Sequence, residues 1–233
     1  MKLKINGFEN IFEFDDEHVN VLTINETKCF THIIEMINEK NQGNENDEIF
    51  LLDNNDNEIK LDKAIIIFDL FNIDFNSKKI LNKLYETIEK NVETSQDLEI
   101  ENLIVNLRNK LIEEINELPF EFVMKSEIDI SDILKVYSLK IDTNNYNTIL
   151  ERIEFFIDIL STLKISDLLI IPNLKTYLCD DELENLYKYV IYNNIKLLII
   201  EKENKKLLKY EKEMLIDENY CDMIIKANYK TIK

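Results

Sequence analysis

Leu168-Leu169-Ile170-Ile171, followed by Pro172-Asn173-Leu174-Lys175-Thr176-Tyr177, decides how the rest of this chain is read. Four apolar residues without alternation describe a strand buried on both faces, as in a parallel sheet covered by helices. Asp180-Asp181-Glu182 then opens a helix that runs to about Tyr192, and Asn193-Asn194 ends it. Leu197-Leu198-Ile199-Ile200 is a second apolar run of the same kind. Strand, helix and strand at this spacing make one βαβ unit. Nucleotide-binding folds place a glycine-rich phosphate loop directly after such a strand. Here that loop has no glycine, and the whole sequence has only Gly7 and Gly43. A P-loop, a dinucleotide fingerprint and a nucleophile elbow, each needing several glycines, are excluded.

Upstream, the first sixty residues read as β-rich with one helix. Leu3 to Phe14 alternates weakly around Gly7-Phe8-Glu9-Asn10, consistent with a hairpin. Val19 to Ile24 is a strand, Asn25 the expected N-cap, and Phe30, Ile33, Ile34 and Ile37 recur at helical spacing. Ile49 to Leu52 and Ile59 to Leu61 form a hairpin closed by Asp53 to Glu58, and Ala64 to Phe68 is a further buried strand. From Asn76 the period changes. Ile80, Leu84, Ile88 and Val92 step by four. After a polar break, Ile100, Leu103, Leu107, Leu111, Ile115 and Leu118 continue the pattern to Pro119. Two long helices with a short polar turn predict an antiparallel hairpin whose apolar face meets itself or another subunit. Helices over Ile130 to Leu139 and Ile149 to Leu160 lead back to the strand at Leu168, and Cys221 to Lys226 is a last strand. The expected class is α/β. A discontinuous head, 1–75 and 119–233, carries a mixed or parallel sheet like a P-loop core without a Walker A. An antiparallel two-helix leg, 76–118, is inserted in it.

The chain has 233 residues, with 28 basic and 46 acidic side chains, a net charge of −18. That balance argues against a general nucleic-acid coat and against binding to acidic membranes, but leaves room for a local basic surface. Residues 201–233 alone reverse it, with 8 basic and 7 acidic residues. No run of apolar residues is long enough to span a bilayer, and Met1 to Asn6 opens no apolar signal region. Cys29, Cys179 and Cys221 are scattered and odd in number, as in reduced cytoplasmic proteins.

Candidate chemistry is sparse. Cys29 and His32 form a C-x-x-H pair without a second pair at zinc spacing, so both read as ordinary helical positions. Asp53, Asn55 and Asn57 imitate a calcium loop, but Glu58 stands where glycine is required and Ala64 where the bidentate acid belongs. Asp180, Asp181, Glu182 and Glu184 suit a helix N-terminus. Glu117, Glu121, Glu127, Asp129 and Asp132 gather where the leg rejoins the head. They read as a solvated acidic linker or, if segments converge there, as oxygen ligands for a hard cation. Lys202 to Lys212 alternates lysines with acids, either a solvated helix laced with i,i+4 pairs or a phosphate-contacting strip. No Ser/His/Asp constellation is present.

Taken together, several stretches resemble one family. They are Leu168 to Ile171, Thr176-Tyr177-Leu178, Asp181-Glu182, Asn193-Asn194, Leu197 to Glu201 and Asp217-Glu218-Asn219-Tyr220. Lys140-Ile141 with Thr143, the helix from Ile149 to Glu154, Val21 to Ile24 and the transition at Asp69 to Ser77 match in order. The pattern is similar to the type II-A CRISPR accessory adaptation proteins, the short Csn family. Order, spacing and length carry the resemblance over nearly the whole chain. It implies a nucleotide-fold-like head without working ATPase residues, a helical leg, and a calcium-binding homotetrameric ring. Such a ring threads onto double-stranded DNA ends and supports spacer acquisition beside the CRISPR integrase complex and the RNA-guided effector nuclease. It implies no catalysis. By this resemblance Lys135 and Lys140 are the leading candidates for the channel wall, followed by Lys125, Lys205, Lys206 and Lys209. The family's acidic cluster after the leg is matched in part by Glu121, Glu127, Asp129 and Asp132.

Two other readings stand beside this one. One is a nucleotide-handling enzyme with a degenerate phosphate loop, using Lys175 and Asp181. The other is a protein scaffold that oligomerises through the leg and ignores DNA.

Overall fold

The computed structural model describes residues 1–44, 46–95, 99–125, 128–204 and 206–226. The chain forms two compact units, Met1–Asp74 with Thr143–Lys233, and Phe75–Asp142.

The first unit holds two sheets. The smaller is antiparallel, in the order β2 (Phe12–Glu13), β1 (Lys2–Ile5), β4 (Ile49–Leu52), β5 (Glu58–Ile59). The larger has the order β10 (Asp222–Lys226), β9 (Glu211–Ile216), β3 (Val19–Ile24), β8 (Lys196–Glu201), β7 (Leu168–Pro172), β6 (Ile65–Ile66). All its pairings are parallel except β10 with β9. β3 lies in the middle, with Leu22 opposite Ile200 on one side and Met214 on the other.

Strand alternation sorts the large sheet into two faces. Leu22, Ile24, Leu168, Ile170, Leu198, Ile200, Met214 and Ile216 join one core with the small sheet and α1 (Thr27–Asn41). The residues between them, Val21, Leu169, Ile171, Leu197 and Ile199, are equally buried and turn to the opposite face. There α6 (Asp180–Tyr192) packs on β8 and on α5 (Ile149–Leu163). Full burial of each such Leu or Ile is worth roughly 1.5–3 kcal/mol. That double burial is why these strands read as unbroken apolar runs.

Helix ends follow local chemistry. Thr148 and Glu151 form a capping box at the start of α5. Glu182 accepts from the Cys179 N–H at the start of α6. At α1 the cap is Glu26, whose carboxylate accepts from the Cys29 N–H at 2.7 Å, and not the expected Asn25. A carboxylate one residue later reaches the same free donors and favours the positive helix end.

The second unit contains α2 (Lys78–Thr94), α3 (Glu99–Asn116) and α4 (Ile130–Val136). It runs past the boundary expected at Leu118-Pro119. α4 packs on α2, the Tyr85 hydroxyl donates to Leu139 O at 2.9 Å, and Asn76 binds the backbone of Ile141. These contacts tie α4, Leu139 and Ile141 to α2 and Asn76. No residue of α3 is buried, and Leu103, Leu107 and Leu111 are 61%, 59% and 44% exposed.

Among the described residues of Lys202 to Lys212 there is no helix. Glu211 to Ile216 is strand β9, buried at every residue but Leu215. Among the described residues no helix is long and apolar enough to cross a membrane.

Candidate functional site

In doubly wound sheets the ligand crevice lies beyond the carboxyl ends of the parallel strands. Here Asn173 follows β7, Glu201 ends β8, and between them opens a cavity of about 540 Å³, with Lys175, Thr176, Asp180, Asn204 and Lys206 among its lining residues. Asn173 takes the left-handed backbone conformation, φ 58°, that turns the chain out of β7. A short 3-10 turn, Leu174–Thr176, follows in place of a phosphate loop.

The chain's own groups bond one another within this crevice. The Lys175 N–H donates to Glu201 Oε1 at 2.8 Å. The Lys175 ammonium contacts Glu211 Oε1 at 2.6 Å and Asn204 Oδ1 at 2.7 Å. The Tyr187 hydroxyl of α6 donates to the same Glu211 oxygen at 2.7 Å, and the Leu208 N–H donates to Glu211 Oε2 at 2.8 Å. On the same sheet face Thr23 donates to Glu213 Oε1 at 2.5 Å. Glu201, Glu211 and Glu213 are 4%, 1% and 6% exposed, so each carboxylate must find its partners inside the protein. Burial pushes the Glu201 carboxyl up to about 7; the Lys175 N–H and ammonium oppose this rise and Glu211 adds to it. Burial, with Glu211 second, holds the Tyr187 hydroxyl far above its ordinary range.

Sequence alone does not mark this network as a site, because Glu201 and Glu211 alternate with lysines in the manner of solvated ion pairs. The signal that separates them is position: Glu201 closes the run Leu197 to Ile200, and Glu213 opens Met214-Leu215-Ile216. For the enzyme reading, Lys175 is already bonded to Glu211 and Asp181 is exposed.

The predicted DNA-contacting lysines fall in both units. Lys125, Lys135 and Lys140 belong to the second. The Lys125 ammonium lies 3.1 Å from Asp129 Oδ2 and 2.5 Å from Asp132 Oδ2, and Lys135 lies 3.4 Å from Asp132 Oδ1. Hydrogen bonds to Asp132 and Asp129 raise the affinity of Lys125 for its proton, and those from Lys125 hold the Asp132 carboxyl below its usual value. Lys135 and Lys140 are exposed. In the first unit Lys206 pairs with Asp180 at 3.2 Å, and Lys209 lies over the Tyr210 ring. Lys205 and Glu127 lie outside the described residues.

Of the acids expected to hold calcium, Glu117 and Glu121 are exposed, while Asp129 and Asp132 converge on an ammonium. Among the described residues no three His, Cys, Asp or Glu side chains form a group that could hold a metal ion. A hard cation needs six or more oxygens, and this arrangement offers a lysine where the ion would sit. The described acids do not fit calcium.

The model of the CRISPR-associated protein family Cas_Csn2 matches residues 42–220, spanning β4 to the turn before β10. The chain belongs to the Csn2 family of type II-A CRISPR systems. A CRISPR-associated protein Csn2 of Enterococcus faecalis is 25% identical over 207 residues, 88% of this chain and 90% of that one. One from Streptococcus agalactiae is 24% identical over 190 residues, 79% and 82% of the two chains. In fold, the chain is similar to the crystal structure of Stu0660 of Streptococcus thermophilus, with a TM-score of 0.57 and 10% identity. The match covers 93% of this chain and 75% of that one. Csn2 membership thus rests on sequence across both units, and the structural likeness supports the α/β fold.

Proposed function

We propose that this Csn2-family chain is a non-catalytic, sequence-independent binder of double-stranded DNA ends that acts in CRISPR spacer acquisition. The observation that carries the reading is the family match over residues 42–220, which takes in the leg, the lysine-bearing segment after it and the βαβ unit of the head. Exposed Lys135 and Lys140 supply phosphate contacts, with Lys125, Lys206 and Lys209 as secondary contributors. Phosphate contacts position a protein without reading bases, so binding follows DNA shape and charge. The exposed leucines of α3 supply the self-association of a closed homotetrameric ring, and closed symmetry covers such faces. A ring around a duplex needs few contacts because escape requires an end. That reconciles the reading with a net charge of −18. The CRISPR integrase complex and the effector nuclease are its proposed partners.

A direct check uses two unrelated linear duplexes of equal length at one salt concentration. The reading expects equal affinities that fall steeply as salt rises. A preference of about a hundredfold for one sequence would overturn it, because base-edge contacts then carry the binding.

The scaffold reading retains one supporting observation, the same exposed leucines of α3. It expects the oligomer without any DNA binding.

A further inference from the structure

The crevice at the ends of β7 and β8 contains two buried carboxylates, Glu201 and Glu211, and one lysine ammonium bonded to Glu211. Its geometry is that of a brace. Lys175 is held at its main chain by Glu201 and at its side chain by Asn204 and Glu211. Asn204 and Leu208 both belong to the connection between β8 and β9, and Leu208 N–H is bonded to Glu211. That connection also bears Lys202, Lys206 and Lys209. Lys202 is bonded to the Thr27 hydroxyl and Lys206 to Asp180.

We propose that Glu201 is a proton-operated latch on the connection between β8 and β9. With Glu201 neutral, Lys175 and Glu211 balance one to one and the brace is closed. Ionisation of Glu201 leaves two buried negative charges against one positive. Like charges in a low-dielectric site repel strongly, and the unpaired one costs most where water is absent. The relief open to the chain is to let Asn204 and Leu208 move outward, which hydrates Glu201 and gives up their bonds to Lys175 and Glu211.

The groups facing Glu201 support this direction. Lys175 favours its ionised form and Glu211 opposes it, with burial the largest effect. Asp180 of α6 and Lys202, Glu203 and Lys206 of the connection line the same cavity as Glu201, and the Tyr187 hydroxyl, bonded to Glu211, is itself raised by the Glu201 charge. On the neighbouring strands Thr23, opposite Glu201 in the sheet, spends its hydroxyl on Glu213 and so gives Glu201 no donor. The Glu201 carboxyl at about 7 places the transition in the neutral range. Asn204 Nδ2 is buried with no acceptor among the described residues, so the closed connection is already one bond short.

Amide hydrogen exchange tests it, read as protection factors so that intrinsic exchange is divided out. Linkage between a closed-state value of about 7 and an ordinary open-state value predicts a drop of about tenfold between pH 6 and pH 8 at the Leu208 and Lys175 amides. Glu201→Gln keeps the acceptor for Lys175 N–H and is expected to abolish the drop. Carbon NMR of the wild-type carboxyl groups provides a second readout that needs no variant, with Glu201 expected to titrate near neutrality. Equal wild-type protection at both pH values, an undiminished drop in Glu201→Gln, or a Glu201 carboxyl that titrates in the ordinary range would each overturn the proposal.

Discussion

The side-chain amide of Asn76 and the backbone of Ile141 hold each other through two hydrogen bonds, 3.1 Å from Asn76 Nδ2 to Ile141 O and 2.8 Å from Ile141 N to Asn76 Oδ1. An amide side chain here imitates a strand partner across 65 residues and closes the second unit. Asn76→Ala leaves a part-buried N–H and C=O unpaired, so it should cost about 1–3 kcal/mol. Urea unfolding monitored on the second unit measures this. A cost below about 0.5 kcal/mol would mean that water replaces Asn76 at no penalty.

Glu201 makes stability depend on pH in a definite direction. Its carboxyl is held above the ordinary value of 4.5, at about 7, so the folded state takes up the proton first. The stability this contributes is complete below about pH 4.5 and is lost as pH rises to about 7. Glu201→Gln should therefore be more stable than wild type at pH 8, by about 1–3 kcal/mol, with the difference shrinking toward pH 5. Thermal unfolding at the two pH values checks the sign; a variant less stable at pH 8 contradicts it.

Thr23→Val keeps the shape of a buried strand residue and removes the hydroxyl that bonds Glu213. A 6%-exposed carboxylate loses a donor, and the expected cost is about 1–3 kcal/mol in denaturant unfolding. A neutral or stabilising outcome would show that Glu213 finds another donor.

Why the sequence yields β7 and β8 but hides β9 follows from where the partners lie. Leu168 to Ile171 and Leu197 to Ile200 announce burial by composition alone. Glu211-Lys212-Glu213 announces solvent, yet all three are buried. Their charges are satisfied by Lys175, Tyr187, Glu13 O and Thr23, the last 190 residues away. Local periodicity carries no record of such partners. The same holds for the acids after the leg. Their clustering is visible, but the Lys125 ammonium seated between Asp129 and Asp132 depends on how the segment folds. Pro119 marks an end to the leg in the sequence because proline stops helices, whereas Tyr85, Asn76 and α4 carry that unit on to Asp142.

Leu103, Leu107 and Leu111 lie one turn apart along one face of α3. If that face joins copies, Leu103→Glu with Leu107→Glu should reduce the oligomer order seen by light scattering while helicity by circular dichroism stays unchanged. An unaltered oligomer would remove α3 from the interface.

Lys135→Glu with Lys140→Glu should weaken duplex binding by at least about tenfold at fixed salt and leave the oligomer intact, since reversed charges repel phosphates. Unchanged affinity would remove both residues from the DNA surface.

Threading over DNA ends is tested most directly by one comparison. The same duplex sequence is offered at low salt as a linear fragment and as a covalently closed circle, and binding is followed by gel shift. A ring that threads over ends predicts binding to the linear form and none to the circle. Equal binding to both forms would contradict it and describe an open clamp or a surface binder.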